Sequence, residues 1–346
     1  MSASFSIIDF RELDSVLWNQ YVADHPLGSV FHTTGMLKSF MLTPKYEVFA
    51  KAQVDAKGQI VALLASTRIE TVSGLASNLA SRAVMFAEPI CNDDQCGWEA
   101  QRQLIALHDE QMQRRTLFSE IRPMHGLSCD AFRIHSLNYE HVDFLNYVID
   151  LKKPLEDIWE NIGKQTRASI RRSMRRGVMV EVGTSETAIR RAYPFIQDSY
   201  RRSKVPLVDI KLFLNAAKLL PPGTLQVRLA TMQGKDLAGT IGLCYGPRYF
   251  AWYGGTSRPP GLQPFACLVW DEIQQSHQQG LAIYDFGGAG RPEEEYGPRV
   301  FKSRFHGQLV NHGRFRRVFS RGKLALAERG YKSLSLLFTK PIHRGC

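Results

Sequence analysis

Near the C-terminal end of the chain, Leu281-Ala-Ile-Tyr-Asp-Phe-Gly-Gly288 has the pattern of a buried strand that runs out in a carboxylate, Asp285, and a glycine pair. Shortly after it, Arg299-Val-Phe-Lys-Ser-Arg-Phe-His-Gly307 sets Phe301 beside Lys302, with Arg304 two residues on. Strand ends and the loops that follow them are where α/β proteins usually keep their chemistry. A carboxylate and a cation at such a place suit proton transfer and the steadying of a developing negative charge.

A second constellation is Lys164-Gln-Thr-Arg-Ala-Ser-Ile-Arg-Arg-Ser-Met-Arg-Arg-Gly177. On a helix, Arg167, Arg171 and Arg175 share one face, Arg172 and Arg176 form an adjacent stripe, and Ile170 and Met174 turn towards a core. Guanidinium forks bind phosphates through paired hydrogen bonds, so the stripe suits a pyrophosphate or a tRNA backbone. A solvated helix face has the same pattern. Asp198-Ser-Tyr-Arg-Arg-Ser-Lys204 places Tyr200 beside Arg201, a mixture that fits a phosphorylated or sugar-nucleotide ligand. Cations also collect at helix C-termini because the dipole favours them, which is the simpler account of Arg202 and Lys204. Trp252-Tyr-Gly-Gly-Thr256, with Tyr253 at its centre, ends a strand on glycines that let a ligand approach the backbone; an aromatic core strand with a plain turn reads identically.

Other chemistries are missing. There is no Gly-x-Ser-x-Gly elbow, no Walker loop and no Gly-x-Gly-x-x-Gly after a strand. No histidine pair has metal-ligand spacing, and His306 and His312 read equally well as ordinary loop residues. The six cysteines form no metal-type pairs, Cys91 and Cys96 being wrongly spaced, so no metal site is expected and free thiols fit a reducing compartment.

Two stretches that could position these residues repeat one order. Tyr46–Val54 and 59–69 read as a hairpin around Asp55-Ala-Lys-Gly58, followed by a helix over 98–114 and a strand over 116–121 carrying Glu120. Residues 225–232 and 237–245 read as a second hairpin, with a third strand over 249–254, a helix over 264–279 and the strand ending at Asp285. Hairpin, helix and carboxylate-bearing strand thus occur twice, which predicts a duplicated α/β unit. The boundary is placed near residue 147: units 1–147 and 148–314, the first completed by a C-terminal segment, 315–346, that includes a helix over 323–331.

The length of 346 residues favours two such units, and 44% hydrophobic with 22% charged residues is ordinary for a globular protein. No apolar run approaches the roughly 20 residues of a membrane span, and residues 1–10 have no signal-peptide pattern, so a cytoplasmic protein is expected. The net charge of +11 divides sharply: residues 1–149 carry 12 basic against 17 acidic side chains, residues 150–346 carry 32 against 16. An anionic partner of the second unit follows, be it nucleotide phosphate, tRNA, coenzyme A or the inner face of a membrane.

Taken together, these pieces resemble the Fem-type (FemAB) branch of the GNAT-like acyltransferases, close to its BioF2-like acetyltransferases. The resemblance rests on Gly28-Ser-Val-Phe-His-Thr-Thr34, Ser119-Glu-Ile-Arg-Pro123, Asp150-Leu151, Thr166-Arg167 with Ile170-Arg171-Arg172, Gly177-Val178, Tyr253-Gly-Gly-Thr256, Tyr284-Asp-Phe-Gly-Gly288 and Phe301-Lys302, in that order along most of the chain. Departures are Met36 where the family often has tryptophan, no insertion for a coiled-coil arm, and Arg258-Pro-Pro-Gly261 in place of a glycine-rich pyrophosphate loop.

The resemblance implies two tandem GNAT-like domains with mixed central sheets flanked by helices. It implies transfer of an acyl or aminoacyl group, from acyl-CoA or aminoacyl-tRNA, to an amine of a cell-envelope or exopolysaccharide precursor, with no tightly bound cofactor. In that scheme Lys302 steadies the oxyanion, Phe301 shapes the donor pocket, and Asp285 or Glu120 takes the amine proton. Arg167, Arg171 and Arg201 meet phosphates, and Arg122, Tyr200 and Tyr253 complete the substrate contacts. The other reading is a non-catalytic basic module that keeps the fold and binds tRNA or an anionic glycan.

Overall fold

The computed structural model describes residues 5–70, 81–126, 137–203 and 205–325. The first half contains β1 (Ser6–Asp9), α1 (Ser15–Asp24), a 3-10 turn (Val30–His32), α2 (Thr34–Met41), β2 (Tyr46–Val54), β3 (Ile60–Glu70), β4 (Ser81–Met85), β5 (Ile90–Cys91), α3 (Gln95–Met112), β6 (Phe118–Ile121) and β7 (Glu140–Val142). The second contains β8 (Leu145–Asp150), α4 (Leu155–Asn161), α5 (Lys164–Arg175), β9 (Met179–Gly183), α6 (Glu186–Arg202), α7 (Lys211–Leu219), β10 (Leu225–Met232), β11 (Lys235–Tyr245) and β12 (Arg248–Thr256). It closes with α8 (Pro264–Gln278), β13 (Ile283–Gly288), α9 (Gly297–Ser303), β14 (Gln308–Asn311) and β15 (Arg314–Val318).

The strands form two mixed sheets, β1-β2-β3-β4-β6-β15-β7, with β5 on β3, and β14-β8-β13-β12-β11-β10-β9. Both are antiparallel hairpins joined to one central parallel pair, β4 with β6 and β12 with β13. A helix bridges each parallel pair, α3 in the first half and α8 in the second, as a parallel connection requires. The repeat of hairpin, helix and carboxylate strand is therefore real, and Glu120 and Asp285 occupy equivalent strands of the two sheets.

The chain passes between the sheets twice: β8, which follows β7 of the first sheet, slots between β13 and β14 of the second, and β15, which follows β14, returns to slot between β6 and β7. The boundary expected near 147 falls inside β8, whose whole length pairs in the second sheet. Of the C-terminal segment, β15 lies in the first sheet, while the part beyond 325, with most of the helix expected over 323–331, lies outside the described residues.

Local chemistry explains the helix starts. Asp94 caps α3 through its bond from the Gly97 amide (2.7 Å), and Ser185 caps α6 through the Ala188 amide (3.2 Å). α3 buries Ala100, Leu104 and Ile105 on the first sheet against Ala83, Met85 and Ile121. Between the halves, Phe31, Met36 and Phe40 share one core with Ile189, Ile196, Leu212, Phe213 and Ile241, so the two sheets are locked together by apolar burial. Among the described residues no helix is long and apolar enough to cross a membrane.

His32, within the first motif of the resemblance, sits in this joint. It is 1% exposed, Nδ1 accepts from the Ser29 amide (3.2 Å), and Nε2 lies 2.9 Å from the Glu88 carbonyl. The bonds assign a neutral ring with its proton on Nε2. Burial, against the nearby Glu88, lowers its pKa to about 4. An unfolded histidine protonates near 6.5, so between about 6.5 and 4 the unfolded chain binds the extra proton and stability falls as pH falls. This ring should remove on the order of 3 kcal/mol across that window. Urea midpoints of His32→Gln should fall less steeply with acid than those of the wild type; equal slopes would refute this.

Candidate active site

The parallel pairing of β12 with β13 covers three positions, ending at Phe250 with Asp285. Beyond it β13 bulges, and its pairing with β8, interrupted after Asp285, resumes at Gly288 with Asn146. The bulge needs Gly287, whose φ of +69° is a region that side chains disfavour. Asp285 holds it from one side: Oδ1 accepts from the Gly287 amide (2.8 Å) and Oδ2 pairs with Arg248 (2.8 Å). Lys302, on α9, holds it from the other. Its Nζ donates to the carbonyls of Phe286 (2.6 Å), Gly288 (2.7 Å) and Gly287 (3.3 Å). Three donors meet three acceptors. Burial lowers the Lys302 pKa to about 8, with Asp285 opposing. Phe301 packs between Phe265 (5.2 Å) and Phe305 (5.4 Å), roofing the same end of the sheet.

Beside Phe301 opens a cleft of about 510 Å³, framed by the start of α5 (Gly163, Lys164, Thr166), the start of α8 (Gln263, Ala266) and Arg304 and His306 after α9. Neither α5 nor α8 carries a side-chain cap, and Pro264 opens α8. Two helix N-termini thus converge with a lysine, an arginine and a histidine, an arrangement that attracts phosphate. Gly163 makes the convergence possible, because a Cβ there would meet the Arg304 carbonyl at 3.2 Å and the His306 ring at 3.5 Å.

The other expected residues fall into place unevenly. Glu120 is 1% exposed and accepts from Arg122 (2.8 Å), Arg314 (3.1 Å) and Arg316 (2.6 Å). Burial alone would raise its carboxyl, but those guanidiniums hold it well below the usual range. Glu120, expected as a proton acceptor, is thus placed at the centre of an arginine cluster. Both Asp285 oxygens are likewise engaged, by the Gly287 amide and by Arg248. Tyr200 and Tyr253 do meet, rings 5.5 Å apart, and burial pushes both hydroxyls up.

Arg201 points away, 77% exposed and paired with Asp198; its neighbour Arg202 instead donates to the Thr256 carbonyl (2.9 Å) at the end of β12. Lys204 lies outside the described residues. On α5, Arg167 pairs with Glu160, whereas Arg171 stacks over Trp159 (5.1 Å) and keeps its in-plane N–H groups for other partners. Met174 is 41% exposed rather than in the core; Ser173 is buried in its place and accepts from the Gln263 amide (2.9 Å).

Sequence reasoning passed over Lys164, Arg304 and His306 as binding groups, and Arg82, Arg314 and Arg316 altogether. Lys164 and Arg304 stand inside the quoted motifs, and the alternation Arg314-Phe-Arg316 is a strand signal for a shared face. A Ser66–His108–Asp109 relay (3.0 and 2.9 Å) has the residue types of a nucleophilic triad, but it is buried where α3, which carries His108 and Asp109, packs on Ser66 of β3.

Residues 164–303 match the family described as the acetyltransferase (GNAT) domain. No curated protein sequence matches the chain. Among solved structures, FemX superposes with a TM-score of 0.69 at 14% identity, over 95% of this chain and 99% of that one. The C-terminal domain of a putative lysylphosphatidylglycerol synthetase from Agrobacterium fabrum gives 0.57 at 14%, over 93% and 96%. A tandem GNAT protein from the clavulanic acid biosynthesis pathway gives 0.56 at 10%, over 92% and 99%. At such identities the likeness speaks for the fold, two GNAT units in tandem.

Proposed function

We propose that this chain, an acyltransferase carrying a GNAT domain within a Fem-type tandem fold, moves an acyl or aminoacyl group from acyl-CoA or aminoacyl-tRNA to an amine of a cell-envelope or exopolysaccharide precursor. The observation that carries the reading is the phosphate-attracting cleft at the starts of α5 and α8, opening beside the place where β12 and β13 part.

The donor's phosphates sit among Lys164, Arg304 and the two helix N-termini, and its acyl group runs under Phe301 towards the parted strands. There the edge of β12 beyond Phe250, without its parallel partner, offers amide donors to the carbonyl. The acceptor's neutral amine attacks that carbonyl and the oxyanion forms against preorganised donors; as it collapses, the C–S or C–O bond breaks and the nitrogen's surplus proton passes through solvent to the departing thiolate or alkoxide. Lys302 acts as a positioning residue: it turns the carbonyls of residues 286–288 onto itself, away from the developing oxyanion, and adds a positive field. With Glu120 and Asp285 both tied up, the amine arrives deprotonated, and orientation does most of the work.

The test is turnover: purified chain, a donor panel of acyl-CoA esters and charged tRNAs, and mass spectrometry of amine acceptors. A product with one donor class supports the reading; tight, salt-sensitive binding without product against the whole panel would overturn it. The pH profile adds an independent check. A reaction that needs the Lys302 ammonium loses rate as pH rises through about 8, while acceptor deprotonation raises the rate at lower pH. A bell is expected for kcat/KM, and Lys302→Arg should lose its alkaline limb.

A further inference from the structure

The face of the first sheet opposite α3 carries a feature that acyl transfer does not use. On β6, Glu120 pairs with Val84 of β4 and Arg316 of β15. Side chains two residues apart share a face, so Arg82, Glu120, Arg122, Arg314 and Arg316 project together. Ala83, Ser119, Ile121 and Phe315 project the other way, Ala83, Ile121 and Phe315 into the core with α3. Among the described residues, four guanidiniums thus surround the one buried carboxylate, an excess of three positive charges; Glu140, opposite Arg316 on β7, shares the face but is exposed and pairs with Arg321.

Three of the four, Arg122, Arg314 and Arg316, divide the two oxygens of Glu120, with side chains 28%, 22% and 23% exposed. Arg82 has no such partner: its Nε is buried and makes no hydrogen bond. A buried unpaired donor on a cation is costly, and it calls for an explanation. The crowding registers on the cations themselves. Burial, then Arg122, pushes Arg314 down to about 9, and the same two causes lower Arg82.

The planes of the guanidiniums are held by rings: Arg122 over Phe86 (5.4 Å), Arg314 over Phe144 (3.4 Å) and Arg316 over Phe118 (4.6 Å). Stacking fixes each fork and leaves its in-plane N–H groups to donate. Tyr46 of the first half and Tyr253 of the second lie within electrostatic reach of Arg82 and Arg122, so the cluster borders the junction of the halves.

We propose that this arginine cluster binds a phosphoryl dianion, and that Arg82 is the group such a ligand completes. A tetrahedral dianion presents three oxygens to several forks at once and offsets most of the excess charge; a carboxylate, with two oxygens and one charge, does less of both. The source is either free phosphate or a phosphate carried by the acceptor. The site stands on its own geometry, whether or not the acyl-transfer reading holds.

Calorimetric titration of the full chain at low ionic strength, with inorganic phosphate in one arm and glucose 1-phosphate in the other, tests it without any turnover. Saturable one-to-one binding is expected in at least one arm, and the tighter arm identifies the source. Arg82→Met should weaken it tenfold or more, Arg82→Lys less, and Arg190→Met, on an exposed ion pair of α6, not at all. Because Arg82→Met removes a cation without a counter-charge, its melting point without ligand should equal or exceed that of the wild type. Should Arg82→Met not fold, that melting-point expectation has failed and the proposal with it. Absence of saturable phosphate binding, or binding unchanged in Arg82→Met, would equally overturn it.

Discussion

Lys302→Ala is expected to lower kcat/KM by about 10²–10³-fold, the usual loss on removing one element of oxyanion stabilisation. The effect runs through the backbone. Without the ammonium, the carbonyls of Phe286, Gly287 and Gly288 lose their common donor. Each unsatisfied buried carbonyl costs roughly 1–3 kcal/mol, although water entering the hole would recover part of it. The bulge at Gly287 would then relax towards β12, whose Phe250 ring lies 3.4 Å from where a Gly287 side chain would begin. Both activity and melting temperature should fall. Lys302→Met keeps the apolar stem and separates the two: if packing alone mattered it would restore both, whereas loss of the charge leaves it as inactive as alanine. Near wild-type rates in a folded Lys302→Ala protein would remove the residue from the mechanism.

A stability loss of about 3–5 kcal/mol is expected for Glu120→Gln, the range for deleting one member of a buried ion pair. The substitution leaves four arginines facing one another with no carboxylate between them. Its pH dependence has a definite sign. The folded carboxyl titrates far below an unfolded glutamate, so its contribution is complete above about 4.3 and is lost as pH falls below that. Acid titration of the melting point should therefore be flatter in Glu120→Gln than in the wild type. The kinetics should move little: at a temperature where the variant is folded, kcat is expected to stay within about tenfold of wild type, since general-base loss usually costs 10²–10⁴. A folded variant with a collapsed kcat would restore Glu120 to the chemistry.

Much of the fold was readable before any coordinates. The hairpins about Asp55–Gly58 and Gln233–Asp236, the helices that became α3 and α8, and the strands of Glu120 and Asp285 all announce themselves through period, turn residues and length. Those signals are local, set by neighbours a few residues away. The duplicated order of elements followed from them directly.

The strand order did not. A boundary near 147 and a return of 315–346 to the first unit were expected, but β8 and β15 are short, and nothing along the chain says that β8 will lie between β13 and β14 or β15 between β6 and β7, because pairing partners are chosen by three-dimensional closure. The site suffered from the same blindness. Phe301 with Lys302 was visible as a motif, yet the partners of that lysine are backbone carbonyls, which carry no residue identity. Glu120 looked like a free base because its three arginines come from positions 122, 314 and 316, two of them nearly two hundred residues away. In the stripe of α5, nothing along the chain says that Glu160, on the preceding helix, neutralises Arg167, or that Trp159 stacks under Arg171 and fixes its plane.

Residue order by itself determined the elements, their duplication and the strongly basic second half, since each depends on spacing or on summed charge. Only the tertiary structure decided which charges are neutralised, which carbonyls a lysine satisfies and where four arginines outnumber one carboxylate. Electrostatic energy depends on distance through space and on burial, and neither is a property of sequence separation.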